Sequence, residues 1–204
     1  LEISLSSLTS AGTVSLIDAL NSSTLQRLHL AQNGIDCHGA QAIAHAPGLN
    51  HLEHLDLRGN SIGPDGAQAI ANSAHLTHLD LSGNSIGPDG AQAIANAPHL
   101  CGLTNLCLGS NRLGPADVCW LANSPHLNHL SHLDLSENPI GPAGASALAT
   151  SPHLVRLTHL DLKGCRLGSD GVRDLANSPY LNTLTHMFLN RNQIGPDGAR
   201  ALAQ

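Results

Sequence analysis

Aromatic side chains are almost missing from this sequence: Trp120, Tyr180 and Phe188 are the whole complement, 1% of 204 residues. Any core must be aliphatic. Charge is also scarce, at 12% of residues, about half the usual share. That leaves neither a disordered acidic tail nor a basic arm. Nine Lys plus Arg stand against fifteen Asp plus Glu, a net charge of −6 with histidine neutral. Phosphate-binding surfaces need clustered cations and single-strand platforms need rings, so nucleic acid is not expected as a partner. No apolar run approaches the ~18 residues of a membrane span, and no charged-then-apolar leader opens the chain. No membrane partner is expected either. The five cysteines (Cys37, Cys101, Cys107, Cys119, Cys165) are odd in number and contain no CxxC pair. This argues against a disulfide framework or structural zinc and for a reducing, cytoplasmic compartment. Phosphate loops, dinucleotide fingerprints and HExxH motifs are lacking, and Gly-Pro-Asp-Gly recurs only as helix punctuation. No cofactor is expected.

What the sequence has is repetition. The stretch from Leu52 to Ala71 recurs almost verbatim from Leu76 to Ala95, and more loosely from Leu103, Leu130, Leu157 and Leu184. An earlier copy starts at Leu25, and an incomplete one at Leu1, inside its own strand. The starts at 25, 52, 76, 103, 130, 157 and 184 are 27 apart except for one step of 24. The short step lacks three loop residues, written elsewhere as Pro98-His-Leu100. Eight copies, two of them incomplete, make one domain over 1–204. No polar cap is seen at either end, and the chain reads as part of a longer protein.

Each copy reads LxxLxLxxNxI/L followed by a GPDGAxAIA-like segment. In Leu55-Asp56-Leu57 the leucines face one side of a strand and Asp56 the other. Asn60 follows at the bend, with Asn33, Asn84, Asn111, Asn138 and Asn192 in the same place and Cys165 there once. Stacked amides at these positions would satisfy turn backbone that is otherwise buried unpaired. Gly63-Pro64-Asp65 opens a helix. Gly66, Ala67, Ile70 and Ala71 share its packed face, small enough to lie close to the strand layer. Parallel strands repeat every ~4.8 Å whereas helices approach no nearer than ~8–10 Å, so the stack must curve. The expected fold is an α/β solenoid, a horseshoe with a parallel sheet on the concave face and helices on the convex one.

The first half of the unit resembles the leucine-rich repeat, and the helix in every copy resembles its ribonuclease-inhibitor-like subclass. The resemblance covers nearly the whole chain and implies architecture. Members of this family include ribonuclease inhibitors, innate-immune receptors, GTPase-activating proteins and secreted effectors of intracellular bacteria, so the fold alone names no function. The near-identity of Ile62–Ala71 and Ile86–Ala95 resembles the repeat effectors of intracellular bacteria as well as the receptor arrays of animal innate immunity; the effector resemblance, which is favoured, implies a chain acting in a host cell.

Function must sit on exposed faces. The first concave column reads Arg27, His54, His78, Asn105, His132, His159, His186. The second reads His29, Asp56, Asp80, Cys107, Asp134, Asp161, Phe188; the third includes Arg58 and Lys163. These are the candidate partner-binding residues, and the expectation is a monomeric, non-enzymatic scaffold that holds a protein partner against this wall. The alternative is the targeting or regulatory domain of an enzyme such as a ubiquitin ligase or GTPase-activating protein. A ribonuclease-inhibitor role is disfavoured, because the wall lacks aromatic anchors and has little net negative charge.

The histidine column reads as a relief of repulsion between stacked aspartates. Metal binding by squares such as His54, Asp56, His78 and Asp80 is disfavoured, because a flat sheet gives poor tetrahedral geometry. Protonating all fourteen histidines would move the formal charge from −6 to +8, so partner binding is expected to be pH-sensitive. The copy from Leu103 departs on both faces, with Asn105 and Cys107 on the strand and Asp117, Val118, Cys119 and Trp120 on the helix. Trp120 is expected outside the apolar seam. Tyr180, Met187 and Phe188 make the last copy more apolar, either as a docking patch or, the favoured reading, as a surface for a further cap. Cys37 and His38 are adjacent at a helix start, where neighbouring side chains are expected to point apart, which leaves no nucleophile with a base.

Overall fold

A computed structural model describes residues 8–20, 24–73 and 75–203. The strand expected for the incomplete copy at Leu1 falls in residues 1–7, outside the described residues. Strand and helix then alternate. After α1 (Ser10–Ala19) come β1 (Arg27–His29), α2 (Cys37–Ala44), β2 (His54–Asp56), α3 (Gly63–Ala71), β3 (His78–Asp80) and α4 (Gly87–Ala95). The second half runs β4 (Asn105–Cys107), α5 (Pro115–Ala122), β5 (His132–Asp134), α6 (Gly141–Ala149), β6 (His159–Asp161), α7 (Gly168–Ala176), β7 (His186–Phe188) and α8 (Pro196–Leu202).

The seven strands form one parallel sheet in chain order. Register is strict: Leu28, Leu55, Leu79, Leu106, Leu133, Leu160 and Met187 pair in line. The central residue of β1 through β6 is buried and its two neighbours are not, because alternate side chains leave a strand on opposite faces. The core is aliphatic throughout, a single cluster of Leu, Ile, Val and Ala, with Cys165 the one buried sulfur.

The bend asparagines knit adjacent copies. Asn138 is fully buried; its Oδ1 accepts from the backbone N–H of Asn111 at 2.9 Å and Leu113 at 3.0 Å. Its Nδ2 donates to the carbonyls of Leu108 and Leu135, each at 2.9 Å. Every amide oxygen of this series serves the loop of the copy before it, so the ladder has a direction. Where Cys165 takes the place, its thiol donates to Leu135 O at 3.2 Å. A sulfur is a poorer acceptor than an amide oxygen, and the N–H of Ile140 turns to Asn138 O at 2.8 Å instead.

The packed glycines act between helices rather than mainly against the strands. A Cβ built on Gly90 would stand 3.1 Å from Ala67 Cβ on the preceding helix and 2.7 Å from Ile86 Cβ. Helix-to-helix spacing, the widest in the stack, is what these glycines minimise. In α5 the place is held by Asp117, buried, whose Oδ2 accepts from Gly114 N at 2.7 Å. Several helices close with an asparagine amide on the last turn: Asn72, Asn123 and Asn177 each donate to the carbonyl four residues earlier. Among the described residues no helix is long and apolar enough to cross a membrane.

Candidate functional site

The sheet register turns the sequence columns into neighbours in space. His54 faces His78 and Asp56 faces Asp80; His132, His159 and His186 run in line beside Asp134, Asp161 and Phe188. The remaining wall residues, Arg27, His29, Arg58, Asn105, Cys107 and Lys163, take the places their columns predict, and each wall residue is at least partly exposed. A depression of about 210 Å³ opens on this wall, floored by Leu55 and Leu79 and lined by His54, Asp56, His78, Asp80 and Cys107.

The histidines stack on one another. Ring centroids are 3.9 Å apart for His54 and His78, 4.1 Å for His132 and His159, and 4.2 Å for His159 and His186, with interplanar angles of 15° or less. Each of His78, His132, His159 and His186 also places Nδ1 within 2.8–2.9 Å of the hydroxyl of the preceding residue: Thr77, Ser131, Thr158 and Thr185. That hydroxyl column holds the rings upright, and Thr104 holds Asn105 Oδ1 in the same way at 2.9 Å. Glu53 occupies its place before His54, and His54 Nδ1 is correspondingly buried without a partner.

This corrects the expectation that histidines relieve the aspartates. Among the described wall residues only His29 comes within ion-pair distance of an aspartate, 3.7 Å from Asp56. The aspartates are steadied by their own strand ends. Oδ1 of Asp56, Asp80, Asp134 and Asp161 accepts from the backbone N–H two residues on, at 2.8–3.0 Å. Arg58 spans Asp56 and Asp80 at 3.6 and 3.9 Å. Lys163 pairs with Glu137 at 3.6 Å. Ring stacking along the column is the stronger geometric preference because parallel strands bring like positions ~4.8 Å apart, close to aromatic contact.

Burial lowers the pKa of His54, His78 and His132, helped by the repulsion of positive charge on a neighbour: Arg27 for His54, a protonated His54 for His78, and a protonated His159 for His132. Burial raises the carboxyls of Asp80 and Asp161. The signs oppose. A histidine held below its unfolded value contributes stability that is full above pH ~6.5 and is lost as pH falls through the folded value. A carboxyl held above its unfolded value favours the native state only in the more acidic carboxylate range. Between pH of about 7.5 and about 5.5 the histidines dominate, so the melting midpoint is expected to fall. His132→Asn, for which Asn105 is the precedent, should flatten that fall; a midpoint rising toward acid would contradict the assignment.

Catalytic groups find little support on the wall. Burial, with Asp80 and Asp134 alongside, pushes the Cys107 thiol up to about 12, where almost no thiolate exists at neutral pH. Cys37 and His38, however, do not point apart: Sγ lies 3.5 Å from Nδ1. They sit in the first helical turn, where no preceding turn blocks their rotamers. Trp120 is on the outer surface, 39% exposed; Phe188 is 46% exposed at the end of the wall. A second concavity of about 900 Å³ was not anticipated. It is lined by His51, Glu53, His75, Thr77, His99 and Cys101, at the strand-entry edge beside the copy shortened by three residues. The 24-residue step was the available signal.

A one-sheet parallel solenoid with a buried leucine spine and a polar inner wall defines a repeat protein of leucine-rich type. The chain matches the leucine-rich repeat family over residues 21–44, 48–71, 72–95, 126–149, 153–176 and 180–203, and it belongs to that family. The longest internal stretch outside these matches, 96–125, holds β4 and the atypical α5, through which the sheet continues unbroken. No curated protein matches the chain in sequence. Among solved structures it is similar to leiomodin-1 actin-binding site 2, at 18% identity and a TM-score of 0.47, over 60% of this chain and 76% of that one. It is also similar to a TDR receptor, at 20% identity and a TM-score of 0.45, over 95% of this chain but only 40% of the receptor.

Proposed function

We propose that this chain is a protein-interaction scaffold that seats a protein partner against its concave wall, from Arg27 and His29 through the His132, Asp134, His159 and Asp161 square to Phe188. The observation that carries this reading is the strict register. Outward side chains of the strands stand on a spine that is buried in β1 through β6, so little conformational freedom is left to lose on binding. The finer assignment is a ribonuclease-inhibitor-like array of the bacterial-effector type, acting in the host cytoplasm. The helix in each copy and the near-identity of neighbouring copies support it. The test compares two variants of the immobilised chain in host-cell lysate. One changes His132 and His159 to glutamate and Asp134 and Asp161 to lysine; the other changes Gln68 and Gln92 on the helices to glutamate. A protein retained by the parent and the helix variant but lost by the wall variant supports the reading. Retention by both variants, or loss only in the helix variant, overturns it.

A further inference from the structure

The copy beginning at Leu25 breaks the punctuation of its own repeat. Where α3 and α4 open Gly-Pro-Asp, this copy reads Asp36-Cys37-His38. Three helix-start residues are replaced by three types that ligate metals, each with a different donor atom. The structure brings those donors together. Asp36 caps α2, its Oδ1 accepting from the backbone N–H of His38 at 2.9 Å and Gly39 at 3.1 Å, which fixes the carboxylate plane. Its Oδ2 lies 3.7 Å from His38 Nδ1. Cys37 Sγ lies 3.5 Å from that same nitrogen. One ligand atom from each residue falls within 4.8 Å of the other two, the one such group among the described residues.

A thiol, an imidazole and a carboxylate also suggest a nucleophile with an oriented base. That arrangement requires the carboxylate on one ring nitrogen and the thiol on the other. Here both face Nδ1, so no proton can be passed across the ring between them. Three donor atoms within 4.8 Å of one another can instead close on one ion as a chelate. Tetrahedral zinc, with sulfur at ~2.3 Å and nitrogen at ~2.0–2.1 Å, sets a sulfur–nitrogen edge of about 3.5 Å and a nitrogen–oxygen edge of about 3.3 Å. The first edge is already met. The second closes by a small turn of the His38 side chain, which is 79% exposed and free to make it.

We propose that Asp36, Cys37 and His38 form a three-ligand site for a zinc-class divalent cation, with its fourth position open to water. The thiolate and imidazole select a borderline-soft ion over magnesium or calcium, which prefer oxygen. On binding, the Cys37 thiol releases its proton to solvent. The site lies at a helix start, apart from the sheet wall, and does not depend on what the wall binds.

Cobalt(II) alone, titrated into the full chain, tests this, because a cysteine ligand produces a sulfur-to-cobalt charge-transfer band in the near ultraviolet. One equivalent should saturate the band, and zinc should displace it. Cys37→Ser should abolish it, whereas Cys101→Ser and Cys119→Ser should leave it unchanged. His38→Ala and Asp36→Asn should each weaken cobalt binding roughly tenfold or more. Asp36→Asn retains a good helix cap, so its loss of affinity reports on the ligand and not on folding. The absence of a band, its survival in Cys37→Ser, or unchanged affinity in either of the other two variants would overturn the site.

Discussion

Asn111→Ala is expected to lower stability by about 2–6 kcal/mol, a large effect for a polar substitution. Asn111 is fully buried, and its Oδ1 accepts from Asn84 N at 3.0 Å and Ile86 N at 3.3 Å. Nδ2 donates to Leu81 O at 2.9 Å and Leu108 O at 3.1 Å. The loss falls unevenly. Leu81 O keeps the Asn84 amide and Leu108 O keeps the Asn138 amide, but both N–H groups lose the amide oxygen that serves them. Each orphan costs roughly 1–3 kcal/mol. Asn111→Cys should fall between the parent and alanine, because Cys165 shows that a sulfur can serve one carbonyl while failing the second N–H. Urea midpoints measure the order; alanine equal to the parent would remove the ladder from the account of the fold.

Leu135→Ala should cost about 2–5 kcal/mol, through lost burial and the cavity left behind. The side chain is completely buried, between its counterparts Leu108 and Leu162 in the copies on either side, themselves fully buried. Stiff strands fix that spacing, and no mobile aromatic is present to swing into the void, so relaxation is small. Leu189→Ala, at the same place in the last copy, removes a side chain that is only partly buried and should cost clearly less. Equal losses at the two positions would mean that the array does not gain its stability by stacking copy on copy.

The fold was legible because it is periodic. Leu55 and Leu79 announce their direction by alternation, and the spacing of 27 fixes which residues become neighbours. The wall was legible in membership but not in chemistry. Columns show that His54 and Asp56 share a face; they do not show that like positions meet along the sheet more closely than unlike positions meet along the strand. Thr77, Ser131, Thr158 and Thr185 sit at an unspecified place of the LxxLxL motif, right after its first leucine, and alternation alone does not show that their hydroxyls reach the next ring. Cys37 and His38 show the opposite case: neighbours in the middle of a helix point apart, but a first turn leaves rotamers less constrained and lets the two side chains meet. The shortened copy was visible as a number, but the notch beside it is a property of three dimensions.

One indole in 204 residues, half out in the solvent on α5, makes this chain an unusually selective optical reporter. Its emission samples the atypical middle copy and is blind to both ends, whereas ellipticity adds up every helix. Heating one sample while following the two signals together would reveal whether the horseshoe comes apart as a single body or unzips from a rim.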